Sequence, residues 1–168
     1  TAWASSQNTV RSGARLRYHF VPVEEWTAVP GDRMVVDTLN TMGYFFSKKG
    51  AFTTFRVATG RDEFVHYMRL RYYAATPNTS WVALSKERQN DPVTFGDDDF
   101  FRLYDDNGKT RTSYGIHTHK WIDVMLARSE RYESMGCILV SKDVLQIVDD
   151  ILTAKEHSLN VTTVYGIR

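Results

Sequence analysis

Cysteine is nearly absent from this chain of 168 residues: Cys137 stands alone, so no intramolecular disulfide can form and cysteine usage leaves the compartment open. Charge of one sign is missing as well. The 21 Lys and Arg against 20 Asp and Glu leave a net charge of +1, too weak a field to draw nucleic acid or an anionic membrane surface as the main partner. No apolar run approaches the length of a membrane span, and there are no internal repeats or low-complexity tracts. Only 4 prolines occur, and Pro22 and Pro30 fall in a first segment without clean periodicity, where they suit turns or sheet edges. Metal-binding spacing is absent too. His19 has no partner His or Cys at such a spacing, and the acidic stretch Asp97 to Gly108 lacks the twelve-position ligand pattern and terminal Glu of an EF-hand. The chain opens on Thr rather than Met, which points to a processed protein or a trimmed chain.

What is plentiful is aromatic: 9 Tyr, 9 Phe and 4 Trp favour a β structure with a real core. A chain of this length fits one domain and can bury about two-thirds of its unfolded surface. Residues 1–30 read as a mobile start followed by an extension packed through Tyr18, Phe20 and Trp26. From Arg33 the pattern becomes that of strands. RMVVDTL, then GYFF and AFTTFRVATG on either side of Lys48-Lys49-Gly50, predict hairpins, with Asn40-Thr41 as a turn and Gly60 closing the last arm. Further strands are expected at Trp81 to Leu84, at Phe100 to Tyr104 and from the Asn107-Gly108 turn up to Ile116, with the acidic run as a solvated loop. Arg69, Arg71, Tyr72 and Tyr73 read either as a solvated strand face or as a wall of a groove that accepts carboxylates. After the cysteine the period turns helical: Ser141 is an N-cap, Asp143 sits in the first turn, and Val144, Leu145, Val148, Ile151 and Leu152 share a face. NVTTVYGI is a closing strand.

Between these elements lies Tyr114 to Val140, with the one cysteine and two of the five histidines. A lone thiol is ordinarily a small buried hydrophobe; with histidines about twenty positions upstream it is also a candidate nucleophile. The order VATG, ATPNTSW, YGIH and SMGCILVSKDVL resembles the L,D-transpeptidase catalytic domain family of peptidoglycan biosynthesis, from about Arg33 to Val164. The GIH segment paired with S-x-G-C is the specific part. The resemblance implies a mainly β fold with α (α+β), a sandwich or barrel with a helix after the cysteine and a long lid-like connection. It divides the chain into an extension, 1–30, and a catalytic domain, 31–168.

Carried over, Cys137 is the nucleophile and His117 the base that takes the thiol proton, with the Thr118 carbonyl orienting the imidazole. Gly136 lets the backbone approach the substrate, and the Gly136 and Cys137 amides are the implied oxyanion donors. Ser134 is structural in the motif. Met135, His119, Leu139, Trp121 and Tyr114 complete the implied substrate region, with His119 a competitor for the base role because on a strand it would share a face with His117. WIDVMLA predicts a short helix, and Trp121 and Tyr132 read either as a cap on the groove or as loop packing. The chain departs from the family pattern twice. Met135 stands where His is usual, and Leu139 stands where Arg or Asn is typical. Leu cannot hold a stem-peptide carboxylate or amide, so Arg69, Arg71, Arg102 and Arg131 become candidates for the missing charge.

The activity implied is attack of Cys137 on the L-centre carbonyl of the third residue of a tetrapeptide stem, with release of D-Ala and resolution of the thioester by an amine. Resolution by water would make the same site an L,D-carboxypeptidase or an amidase that removes proteins attached to peptidoglycan. A non-catalytic peptidoglycan-binding module is the remaining class. A papain-like protease is disfavoured because its cysteine precedes its histidine. The implied partners are peptidoglycan stem peptides and envelope proteins attached to them, with no nucleic acid. No metal or organic cofactor is required, and the implied location is the bacterial cell envelope, periplasmic or secreted.

Overall fold

The computed structural model describes residues 9–11, 17–96, 99–154 and 158–167. In chain order the strands are β1 (Thr9–Arg11), β2 (Arg17–Phe20), β3 (Arg33–Asp37), β4 (Met42–Phe46), β5 (Ala51–Arg56), β6 (Thr59–Gly60), β7 (Phe64–Tyr67), β8 (Leu70–Tyr73), β9 (Ser80–Glu87), β10 (Phe100–Asp105) and β11 (Thr110–His117). Helix α1 (Ile122–Ala127), β12 (Tyr132–Ser134), β13 (Ile138–Leu139), helix α2 (Lys142–Thr153) and β14 (Leu159–Val164) follow. Ten strands form one mixed sheet in the order β1-β2-β5-β4-β3-β14-β9-β10-β11-β13, with β12-β6 and β7-β8 as separate pairs. The mainly β fold with helices is therefore as expected.

Alternation builds the sheet. Met34 and Val36 of β3 and Phe45 of β4 point inward and are fully buried, while Arg33 and Phe46 face the other way and stack cation on ring at 5.1 Å. Helix α2 starts where Ser141 Oγ accepts from the Val144 amide at 3.2 Å, satisfying a donor that has no intrahelical partner. Its apolar face, Val144, Leu145, Ile147, Val148, Ile151 and Leu152, closes the core against Met34, Phe45, Trp81, Leu103 and Ile116. The C-terminal strand β14 does more than pin an end. It runs parallel to β3 and antiparallel to β9, so it joins the N-terminal hairpins to the strands that carry the site.

Three expectations need correction or limits. Gly60 does not close the second hairpin arm: β5 ends at Arg56, the Val57 amide turns to the Thr41 carbonyl, and Gly60 sits in β6 beside Ser134 of β12. The physical reason is that Ala58 pairs with Leu139, which pulls this chain away from β4 toward the motif. The extension is part of the sheet, since β2 pairs with β5 and Tyr18 is buried. The start expected as mobile falls partly outside the described residues, as do Asp97 and Asp98 of the acidic run.

Arg131 holds three segments together. Buried at 6% exposure, it donates to the carbonyls of Val57 at 3.1 Å, Arg128 at 2.8 Å, Asn40 at 3.1 Å and Thr41 at 2.9 Å. Its planar fork suits this many fixed acceptors, and no shorter cation reaches all of them. Arg131→Met, which keeps the stem and removes the donors, is expected to lower the unfolding free energy by about 3 kcal/mol. Urea titration followed by circular dichroism measures it; a loss below about 1 kcal/mol would show that these carbonyls find other donors.

Candidate active site

Strands β11 and β13 run parallel with Ile116 opposite Ile138 and His117 opposite Leu139, and the Val140 amide donates to the His117 carbonyl at 3.0 Å. Cys137, just before β13, lies beside Gly115, whose backbone hydrogen-bonds its thiol. Residues two apart on a strand share a face, so the thiol and the imidazole come to the same side.

His117 is 3% exposed, with Nδ1 2.6 Å from the Thr118 carbonyl oxygen. A carbonyl can only accept, so Nδ1 carries the proton and Nε2 keeps its lone pair. Phe95 and Phe100 flank the ring at centroid distances of 4.5 and 5.5 Å. Gly115 makes this possible, because a Cβ there would meet Phe100 Cζ at 2.1 Å. Burial pushes the imidazole down to about 4, opposed by the Thr118 bond and assisted slightly by His119.

Hydroxyl groups hold the turn that carries the thiol. Tyr72 donates to the Met135 carbonyl at 2.7 Å, Thr76 to the Gly136 carbonyl at 2.7 Å, and Ser134 to the Cys137 carbonyl at 2.6 Å. Ser134 Oγ also accepts from the Gly136 amide at 3.1 Å. Gly136 takes a φ of +130°, a conformation L side chains rarely adopt, and a Cβ there would lie 2.6 Å from Tyr114 Cε1. Tyr114 therefore acts as a packing wall for the turn, itself tilted against Trp81 at 5.4 Å.

The half-buried Cys137 packs on an apolar cluster of Ala58, Ile122 and Leu139, edged by Met125 and Leu126 of α1. Burial pushes its thiol up to about 11, with the Gly115 hydrogen bond and the charge of Arg102 pulling weakly the other way. Leu139, at 2% exposure, is part of the wall behind the thiol and offers no polar group.

The candidate replacement charges separate clearly. Arg131 is engaged by backbone carbonyls, as above. Arg69 and Arg71 lie on the exposed β7–β8 hairpin, where Arg71 stacks on Phe64 at 4.5 Å. Arg102 makes two 2.8 Å bonds to Glu87 and holds that carboxyl down to about 2 through these hydrogen bonds, against the opposing effect of burial. Of the four, it is the one whose charge reaches the thiol.

His119 does not share the face of His117, because β11 ends at His117; instead its Nδ1 accepts from the Trp121 amide at 3.0 Å, at the start of α1. A cleft of about 490 Å³ runs along α1, lined by His119, Trp121, Met125, Arg128, Arg61 and Glu133 among others. Met125 belongs both to this cleft and to the cluster behind Cys137. Tyr132 also lines it, with its hydroxyl donating to the Leu39 carbonyl at 2.8 Å. Sequence reasoning did not assign a site role to Thr76, Phe95, Phe100, Arg61 or Arg128. Only Thr76 carried a signal, the extended conformation imposed by Pro77. Among the described residues no group of three or more His, Cys, Asp or Glu is placed to hold a metal ion, and no helix is long and apolar enough to cross a membrane.

The family model for the L,D-transpeptidase catalytic domain, YkuD, matches residues 31–164, and the chain belongs to that family. This is a family of cysteine-dependent enzymes acting on peptidoglycan peptides. Among solved structures it is similar to an L,D-transpeptidase of Xylanimonas cellulosilytica at 16% identity and TM-score 0.54, covering 83% of this chain and 63% of that one. Bd1075 of Bdellovibrio bacteriovorus is similar at 15% identity and TM-score 0.56, covering 86% and 51%. A cysteine-to-serine mutant of an Enterococcus faecium L,D-transpeptidase follows at 16% identity and TM-score 0.50, covering 79% and 49%. The chain thus spans from about half to under two thirds of these chains, and at such identities they carry the fold alone. No significant match is found among curated proteins.

With the thiol at about 11 and the imidazole at about 4, the resting pair is thiol and neutral His117. Alkylation of Cys137 by iodoacetamide, followed by intact mass, is expected to rise about tenfold per pH unit from 7 toward 11, because the reactive thiolate does so. A plateau between pH 5 and 8 would instead reveal a resting thiolate–imidazolium pair and overturn this assignment.

Proposed function

We propose that the protein is a peptidoglycan L,D-transpeptidase acting through a Cys137 thioester, with 31–168 as the catalytic unit and 1–30 as an extension, working in the cell envelope as a periplasmic or secreted domain. The observation that carries this is the register of β11 and β13, which sets Cys137 beside Gly115, two residues before His117, with Nδ1 engaged by the Thr118 carbonyl and no partner on Nε2 among the described residues. Cys137 Sγ attacks the carbonyl of the L-centre of the third stem residue while His117 Nε2 takes the thiol proton. Because an ion pair is disfavoured at rest, the proton moves as the S–C bond forms. The C–N bond to D-Ala then breaks, and His117 returns the proton to the leaving amine. An amine from a second stem attacks the thioester, forms the new amide, and the thiol is restored.

The same thioester resolved by water gives an L,D-carboxypeptidase, or an amidase that frees an envelope protein. Leu139 favours keeping this second reading, since the wall behind the thiol has no polar group to hold an acceptor.

Incubation of the parent protein and Cys137→Ala with a carbapenem, then with stem tetrapeptides, is the test. A mass adduct on the parent alone is expected, and His117→Gln should slow its formation by about 10²- to 10⁴-fold. Dimeric products indicate transpeptidation, and tripeptide alone indicates hydrolysis. An unmodified parent with no Cys137-dependent product would reduce the chain to a binding module.

A further inference from the structure

Thr76 lies outside the motif segment, 60 residues before Gly136, and is 4% exposed. Its hydroxyl is fully committed: Oγ1 accepts from the Gly60 amide at 2.9 Å and donates to the Gly136 carbonyl at 2.7 Å. A hydroxyl has one proton to give, so accepting from Gly60 leaves that proton aimed at Gly136. The peptide unit joining Gly136 to Cys137 is planar and trans, so its carbonyl and its N–H point in opposite directions. Fixing the carbonyl against buried Thr76 therefore fixes the Cys137 amide on the far side. The neighbouring amide, that of Gly136, is taken by Ser134 Oγ, and its own peptide plane is set by Tyr72 on the Met135 carbonyl. Of the Gly136 and Cys137 amides, that of Cys137 is then the one without a side-chain acceptor among the described residues, and its direction is set from outside the motif.

We propose that Thr76 is a positioning residue for the oxyanion donor: through the Gly136 carbonyl it aims the Cys137 amide at the carbonyl oxygen that becomes negative when the thiol attacks. This rests on the nucleophilic role of Cys137 given above. Both hydrogen bonds of the Thr76 hydroxyl are internal to the protein. A glycine at 136 with φ of +130° has no side chain to restrain its peptide plane, so the restraint comes from this hydroxyl, with Tyr72 as a second pin one residue earlier.

Two reactions of the same thiol separate this role from plain structural support. Acylation by a carbapenem passes through a tetrahedral oxyanion, whereas alkylation by iodoacetamide at pH 9 displaces iodide and forms none. Thr76→Val keeps the shape and removes the hydroxyl; Thr76→Ser keeps the hydroxyl. The expected result is acylation slowed about tenfold or more in Thr76→Val, alkylation within about twofold of the parent, and acylation restored in Thr76→Ser. Thr76→Ala, which removes the same hydroxyl in a smaller side chain, is expected to show the same split in the same direction and keeps the test decisive should Thr76→Val fail to fold. Both rates falling together, or acylation unchanged in the variants, would overturn the positioning role while leaving the proposed function standing. A parent protein that takes no Cys137-linked carbapenem removes both.

Discussion

The site depends on a run of backbone carbonyls that a strand ladder cannot reach. Between β12 and β13 the chain turns through Met135, Gly136 and Cys137, and each carbonyl receives a hydroxyl from Tyr72, Thr76 and Ser134 in turn. These donors come from three places: a hairpin strand, the loop before β9, and the end of β12. Because a peptide unit is rigid, holding its carbonyl holds its amide, so ordinary side-chain hydrogen bonds in this turn determine the direction of groups that could meet charge. Buried hydrogen bonds of this kind contribute about 1 kcal/mol each to stability, but what they contribute here is mainly direction.

The electrostatic setting follows from the same burial. An apolar wall of Ala58, Ile122 and Leu139 raises the thiol, and two phenylalanine rings around His117 lower the imidazole, so both groups sit neutral. In the proposed reaction such a neutral pair attacks when a carbonyl arrives whose developing charge is met by an aimed donor. Low dielectric, which makes a preformed ion pair costly, also strengthens such a donor. Arg102 modulates this from a distance, and its tie to Glu87 keeps it from approaching the sulfur as a direct partner.

Much of this was legible in the residues. Alternation around Phe45 and Val36 marked the first hairpins, the 3.6-residue period and Ser141 marked α2, and GIH with S-x-G-C marked the family that the 31–164 match shows. Local periodicity reads what neighbours along the chain share. It could not read Thr76 or Tyr72, whose partners lie 60 and 63 residues away and leave no trace in their own surroundings. Gly60 failed for a related reason: VATG looks like the end of a hairpin arm until Ala58 pairs with Leu139. The face of His119 depended on where β11 stops, which periodicity locates poorly.

Leu139 draws these strands together. In place of a charged side chain reaching toward substrate, it forms a backbone bridge with Ala58 and a side-chain wall with Ile122 of α1. Helix α1 is itself tied at its C-terminal end, where Arg56 donates to the Leu126 carbonyl at 3.1 Å and Arg131 to that of Arg128 at 2.8 Å. The wall therefore runs from the sheet, past the thiol, to the cleft that Met125 also lines. A cation at 139 would have to be desolvated within that wall, at a cost of several kcal/mol without a partner. Leucine removes that cost, and the cations of the cleft, Arg61 and Arg128, stay at its solvent-exposed rim.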